Sequence, residues 1–162
     1  MADTVLVADI GGTNARFAMA RIEIDAVAIN RTQSFPSKDY ASVCDAARAY
    51  LEAVKEKPVA GCFAVAGPVT DGVIEFTNSS WVLNIADVKR TLGLDHLLAV
   101  NDFEALASGV VHLGEEDFLI IKKGEADPSA PIVVLGPGTG LGQALVVPSR
   151  GRFHVISTEG GH

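Results

Sequence analysis

Cysteine is scarce in this chain of 162 residues, which contains two. Cys44 and Cys62 cannot form the disulfide framework of a small secreted domain, and no Cys-rich spacing indicates a structural zinc site. Each stands among apolar residues, which predicts small buried thiols and a reducing compartment.

Basic charge is also sparse. The chain has 13 Lys and Arg against 20 Asp and Glu, a net charge of −7, and no basic cluster larger than a pair. A phosphate backbone would be repelled except at a local pocket, so nucleic acid is excluded as an expected partner.

Long uninterrupted apolar helices are missing as well. Asp3 and Asp9 interrupt the N-terminal apolar residues and no basic region precedes them, so we expect no signal peptide and a cytoplasmic protein. The longest uncharged run, Pro128–Ser149, contains four Gly and four Pro. It therefore predicts two strands and a loop, and no contact with a membrane.

The stretch Val5–Ala20 contains two apolar runs joined by a Gly pair, which predicts a strand, a tight turn and a returning strand. We expect Gly11-Gly12 to supply positive φ and to let a ligand touch the backbone. Asp9, Thr13, Asn14 and Arg16 flank this turn with groups suited to a nucleotide's phosphates and Mg²⁺. The alternative is a plain β-hairpin.

The next elements predict a layered α/β fold. A third strand is expected over 27–34, an amphipathic helix over Tyr40–Val54 from its i, i+3, i+4 spacing, and a strand apolar on both faces over 59–66. This order is typical of a ribonuclease H-like mixed sheet packed by crossover helices.

The second half repeats this logic. A short helix, 85–92, is expected between Asn84 as its cap and Gly93. A strand over 96–100 ends in Asn101-Asp102 before a helix at 103–110, and open α/β sheets bind ligands at strand carboxyl ends. Apolar strands over 132–135 and 143–147 flank a second Gly-rich turn, GPGTGLG. We predict one lobe over residues 1–110 and the start of another over 111–162.

Two motifs, ADIGGTNARFA and GPGTGLG, resemble the two phosphate loops of the superfamily that joins hexokinases, actin and the heat-shock chaperone ATPases. Within that superfamily, four motifs together resemble the bacterial glucokinases. They are TNSSW, VNDFEALA, GPGTGLG and the terminal EGGH. The resemblance covers essentially the whole chain and implies an α/β, two-lobed, actin-like ATPase fold of hexokinase type. Because such relatives are considerably longer, it also implies an N-terminal half that is truncated.

The resemblance further implies ATP-dependent phosphorylation of the 6-hydroxyl of glucose, giving glucose 6-phosphate and ADP in the first step of glycolysis. Asp102 would be the catalytic base, and Mg²⁺ would be held through water by Asp9. Glucose would be bound by Asn78, Asn101, Asp102, Glu159 and His162. ATP would be bound by Ala8, Asp9, Ile10, Gly11, Gly12, Thr13, Asn14, Gly136, Gly138, Thr139 and Gly140.

Each of these assignments has a structural alternative. Asp102 could be an ordinary helix N-cap, GPGTGLG a flexible loop, Asn78 part of a turn, and Glu159 and His162 surface groups. The rival function is a non-catalytic sugar- or nucleotide-binding fragment or sensor that needs a partner half. Because the strands around residue 132 are apolar on both faces, we also expect a homodimer or other self-association.

Overall fold

The computed structural model describes residues 4–23, 26–76, 80–137 and 141–159, with only the backbone of Glu159 included. The chain forms two compact units, Met1–Asp102 and Phe103–His162. The units divide after Asp102, whereas the sequence predicted a lobe boundary after residue 110, where the helix Asp102–Val110 ends. The extent of each functional lobe stays a prediction.

The first unit is built on a five-stranded mixed sheet. Its strands are β1 (Thr4–Ile10), β2 (Asn14–Ile22), β3 (Val27–Pro36), β4 (Ala60–Val65) and β7 (His96–Asn101), in the order β3-β2-β1-β4-β7. The pairs β1–β2 and β2–β3 are antiparallel, whereas β1–β4 and β4–β7 are parallel. A small antiparallel ribbon joins β5 (Val73–Glu75) to β6 (Val82–Asn84). The predicted opening hairpin and the parallel strands that follow it are confirmed.

Helices α1 (Val43–Val54) and α2 (Ile85–Leu92) supply the core of this unit together with one face of the sheet. Phe17 is fully buried there, with ring centroids 5.7 Å from both Phe35 and Tyr50 and 6.4 Å from Phe63. Burying an aromatic side chain removes a large apolar area from water, so this aromatic group contributes strongly to stability.

The helix ends follow from local capping. In α2, the Asn84 side chain accepts a hydrogen bond from the Asp87 amide at 3.1 Å, and Gly93 ends the helix with φ 67°, so both predicted ends are confirmed. The expected start of α1 at Tyr40 is wrong. Ser42 caps that helix by accepting from the Asp45 amide at 3.2 Å, and a cap residue has extended backbone.

The expectation that the central strands are buried on both faces is wrong for the part of the chain that the structure describes. Their second face is only half-covered at Val5, Val7 and Cys62, and Leu98 on the neighbouring strand is 58% exposed. Cys44 is half-buried as well, and burial raises the pKa of both thiols. The helices pack on one face, whereas the sequence pattern alone predicted cover on two.

The second unit contains helix α3 (Asp102–Val110), apart from its first residue, and an antiparallel sheet of β8 (Ile132–Pro137), β9 (Leu141–Ser149) and β10 (Arg152–Glu159), in the order β10-β9-β8. Ala107, Ala144 and Val146 form its small core. Strand β10 was not predicted. It follows a two-residue turn in which Arg150 has φ 49° and Gly151 has φ 75°, the backbone that a tight hairpin requires.

None of the helices in the described ranges is long and apolar enough to cross a membrane.

Candidate functional site

The carboxyl ends of three parallel strands lie in one row of the first sheet. Ile10 on β1 is in register with Val65 on β4, which is in register with Asn101 on β7. Neighbouring strands are separated by about 4.8 Å, so the turn that follows Ile10 and the residues at the end of β7 lie about 10 Å apart across the sheet. The fold thus brings the first Gly-rich turn and Asn101-Asp102 to one edge.

The first Gly-rich turn borders a shallow depression of about 240 Å³. Its lining residues are Asp9, Gly11, Gly12, Thr13, Asn14 and Arg16. Asp9 and Arg16 are direct cross-strand partners, and the Arg16 Nη1 lies 3.5 Å from the Asp9 Oδ2. Both side chains are more than half exposed, so this ion pair adds little stability but leaves charges of both signs available at the rim.

The turn is held in shape by backbone contacts. The Gly11 amide donates to the Asn14 carbonyl at 2.9 Å, and the Ser37 amide donates to the Thr13 carbonyl at 2.8 Å. Ser37, whose hydroxyl lies 3.4 Å from the Gly11 carbonyl, is a buried polar residue in the short 3₁₀ helix Ser37–Asp39. No role at this turn was expected for Ser37 from the sequence.

The expectation of positive φ is wrong at Gly11. A β-carbon built there would meet only the Asn14 carbonyl oxygen, at 3.6 Å, which is an ordinary contact. The absence of a side chain therefore keeps the backbone open to a ligand, and backbone conformation does not require glycine at this position.

Ala8 and Ile10 are buried, unlike the residues of the turn. Both belong to β1 and their side chains are buried in the core, and the Ile10 carbonyl accepts from the Ala66 amide at 3.0 Å. Neither lines the depression. Their predicted contact with the nucleotide stays a prediction.

Asn101 and Asp102 lie at the junction between β7 and α3. The Asn101 Nδ2 lies 3.5 Å from the Gly67 carbonyl, which ties the end of β7 to the loop after β4. Asp102 occupies the first turn of α3, where the helix dipole stabilises a carboxylate. This position suits either a capping group or a base, and the substitution Asp102→Asn separates the two roles.

The second Gly-rich hairpin brings three strands together at one level. Gly136 on β8 is in register with Gly142 on β9, which is in register with Glu159 on β10. The ring of Phe103 covers both glycines. Phe103 was not identified from the sequence. Its one sequence signal is an aromatic residue directly after the Asp at the start of a helix.

Several predicted site residues lie outside the described residues. They are Asn78, Gly138, Thr139, Gly140 and His162, and of Glu159 only the backbone position is known. Their proposed roles stay predictions.

The residues at the first turn fit a magnesium ion that is held mainly by phosphates and water. Among the described residues no group of three or more His, Cys, Asp or Glu could hold a metal by itself. Mg²⁺ in phosphotransfer sites needs only one or two carboxylates besides the substrate's phosphates, and Asp9 supplies an exposed carboxylate at the rim.

This arrangement defines a class of protein. A mixed sheet in which parallel strands end beside a Gly-rich hairpin is the ribonuclease H-like layer of the actin-like ATPases, which include the hexokinase-type kinases. A crystal structure of a glucokinase from an Antarctic psychrotroph superposes with a TM-score of 0.87 at 41% identity, covering 100% of this chain and 52% of that one.

Further comparisons narrow the class to one family. The glucokinase family model matches residues 6–162. A glucokinase of Paramagnetospirillum magneticum is 43% identical over 165 residues, covering 100% of this chain and 50% of that protein. A Balamuthia mandrillaris glucokinase in complex with glucose has a TM-score of 0.73 at 25% identity, covering 99% of this chain and 49% of that one.

The chain belongs to the glucokinase family. It spans about half the length of the relatives it matches.

Proposed function

We propose that this chain supplies the first half of an ATP:glucose phosphotransferase, which converts glucose and ATP to glucose 6-phosphate and ADP. The observation that carries the proposal is that Ile10, Val65 and Asn101 are in register at the carboxyl ends of three parallel strands. This register puts the first Gly-rich turn and the carboxylate of Asp102 at one edge of the sheet. Family membership supports the choice of substrates.

The nucleotide's phosphates would lie at the first turn. Arg16 offers a guanidinium that is 65% exposed, and the open face of Gly11 lets a phosphate oxygen approach the main chain. Mg²⁺, when bound, would offset phosphate charge, with Asp9 as a ligand through water. The ion pair of Arg16 with Asp9 holds both groups at the rim before a nucleotide arrives.

The sugar would lie beside Asn101 and Asp102. Asp102 would accept the proton of the 6-hydroxyl as that oxygen attacks the γ-phosphate, and Asn101 would hold a neighbouring hydroxyl by its amide. Glu159, His162 and Asn78 are proposed as further sugar ligands, and Gly136, Gly138, Thr139 and Gly140 as phosphate contacts. In phosphoryl transfer, positioning and charge neutralisation supply most of the rate, so these groups matter as much as the base.

Calorimetric titration of the purified chain with Mg·ATP and, separately, with glucose tests whether the two substrates are recognised. We expect saturable binding of Mg·ATP that weakens when Mg²⁺ is chelated. Binding of neither substrate, by the 162-residue chain or by a chain of the relatives' full length, would contradict the proposal.

Replacing Gly11 with Val should leave the fold intact and weaken the affinity for Mg·ATP by at least about tenfold, which corresponds to about 1.4 kcal/mol. A β-carbon there would meet only one neighbouring atom, at 3.6 Å, so the new side chain would begin in the space proposed for phosphate. The matched control is Gly124→Val, at another glycine with open space around it. Equal affinity in both variants and the parent would remove this turn from the nucleotide site.

We further propose that the 162-residue chain self-associates or pairs with a partner half, and that it has no turnover alone. Apolar side chains are exposed in the second unit, with Leu119 at 89%, Ile121 at 94% and Leu135 at 56%. Uncovered apolar area of this kind drives association at about 25 cal/mol per Å² buried.

Light scattering at micromolar concentration should therefore give a mass above that of a monomer. Ile121→Lys should shift the distribution toward monomer, whereas Lys123→Ile should not. A monodisperse monomer with a cooperative melt would contradict this expectation. If the isolated chain self-associates and has no turnover, the rival function of a binding fragment describes the isolated chain. The kinase function then belongs to the assembled protein. A cytoplasmic location remains part of the same proposal.

A further inference from the structure

Two glycines of the second hairpin share one aromatic neighbour. Gly136 and Gly142 face each other across β8 and β9, at the end of the hairpin that leads into residues 138–140. A β-carbon built on Gly136 would lie 2.8 Å from Cε1 of Phe103, and one built on Gly142 would overlap the opposite edge of the same ring. Carbon atoms in contact normally stay about 3.5–4.0 Å apart, so neither position has room for a side chain.

Backbone conformation does not explain these glycines. Neither Gly136 nor Gly142 has a positive φ, so an L-residue could adopt both conformations. The reason for glycine at both positions is therefore the ring. The two glycines form a slot that is open only because both side chains are absent, and Phe103 fills it.

The ring is fixed to its own helix as well. Phe103 packs with the core cluster that contains Ala107, which lies one turn later on the same face of α3, and with Ala144 and Val146 on β9. The slot therefore joins the N-terminal turn of α3 to the hairpin through side chains that are buried or partly buried.

The residues of this contact adjoin three proposed functional segments, either along the chain or in strand register. Asp102 precedes Phe103 in the same helix, Gly136 and Gly142 stand at the two ends of the Gly-rich loop, and Glu159 is in backbone register with Gly142. A shift of the ring would therefore move the start of the helix relative to the loop.

We propose that Phe103 is a positioning residue that fixes the first turn of α3, and with it Asp102, against both ends of the second Gly-rich loop. The inference rests on the proposed roles of Asp102 as base and of the loop as a phosphate site. Phe103 itself would touch no substrate. It sets the separation between the proton acceptor and the phosphates, and a misplacement of about 1 Å can cost about 100-fold in rate.

The test combines a larger residue at Gly142 with a smaller one at Phe103. It uses a protein of the same length as the relatives, and the assay is glucose phosphorylation. Gly142→Ala should lower kcat by about 100-fold because the new methyl group displaces the ring. Phe103→Leu should lower kcat about tenfold. The double variant should be at least about tenfold more active than Gly142→Ala, because leucine vacates the space that the methyl group needs.

A purely structural role would give a different pattern. If the contact acts on positioning, kcat and kcat/KM should fall together while the KM values for glucose and ATP change by less than about threefold. Ala144→Gly is the control, because it removes a methyl group from the same core at a position two residues along β9 from Gly142. It should lower the melting temperature and leave kcat within about twofold.

Two failures can be distinguished. Absence of rescue in the double variant, or a kcat for Phe103→Leu equal to that of Ala144→Gly, overturns the positioning role while the kinase proposal stands. Full activity of Asp102→Asn, or no turnover in the parent of full length, overturns the proposed function and this inference with it.

Discussion

Replacing Asp102 with Asn is expected to lower kcat for glucose phosphorylation by about 10² to 10⁴-fold, the usual contribution of a general base. The amide keeps the size of the side chain and its capacity to accept a hydrogen bond, but it cannot take up the proton of the 6-hydroxyl. Glucose binding should weaken but stay measurable, because Asn101 and the other proposed sugar ligands remain. A coupled assay of glucose 6-phosphate formation, in a chain of full length, measures the loss.

Asp95→Asn is the matched control. Asp95 lies just before β7, at the opposite end of the strand that leads to Asp102, so the same chemical change there should leave kcat unchanged. If Asp102 served only as a helix cap, Asn would replace it at little cost, because both residues cap well. Retention of more than a tenth of the parental kcat would assign Asp102 to capping alone.

Replacing Phe17 with Ala is expected to lower the free energy of unfolding of the first unit by about 3–5 kcal/mol. This loss is large beside a total stability of about 5–15 kcal/mol for an ordinary domain. Phe17 is fully buried and contacts three other aromatic rings, so the cavity cannot close without moving α1 or the sheet. Trp81, the single tryptophan, belongs to the same core and donates to the Tyr40 carbonyl at 3.0 Å.

Urea unfolding followed by Trp81 fluorescence therefore reports on this core directly. The control is Phe118→Ala, because Phe118 is 49% exposed and its truncation should change the unfolding of the first unit by less than about 0.5 kcal/mol. A loss below about 1 kcal/mol for Phe17→Ala would mean that the aromatic group is not the centre of the core.

The parts of the fold that the sequence predicted well depend on local signals. The opening hairpin is specified by two apolar runs around a Gly pair, and α2 by a cap residue and a terminal glycine, all within a few residues of each other. The position of Asn101-Asp102 at the end of β7 was predictable from the apolar run directly before it, and the ligand binding expected at a strand's carboxyl end stays a prediction.

The parts that were missed depend on contacts between distant segments. An apolar strand has the same pattern whether helices cover one face or both, so the half-covered face at Val5, Val7 and Cys62 could not be read from β1 or β4 alone. The slot for Phe103 joins a helix start to glycines more than thirty residues away, and no local pattern marks it.

The glycine at position 136 has a physical reason that the sequence did not indicate, whereas the open backbone at Gly11 agrees with one of the two reasons expected there. Gly11 and Gly136 were both assigned to phosphate contact. The structure leaves the space over Gly11 open, whereas the corresponding face of Gly136 is filled by a ring. A Gly-rich pattern indicates a close approach to the backbone, but only the packed structure shows where a side chain makes that approach, and phosphate contact at either glycine stays a prediction.

We propose that Asp102 and the first Gly-rich turn act together in transferring the γ-phosphoryl group of ATP to glucose. The most direct measurement mixes the full-length chain with Mg·ATP and glucose and quantifies both products. We expect glucose 6-phosphate and ADP in equal amounts, with both undetected for the Asp102→Asn variant on the same timescale. ADP without glucose 6-phosphate, or equal product formation by the Asp102→Asn chain, would contradict it.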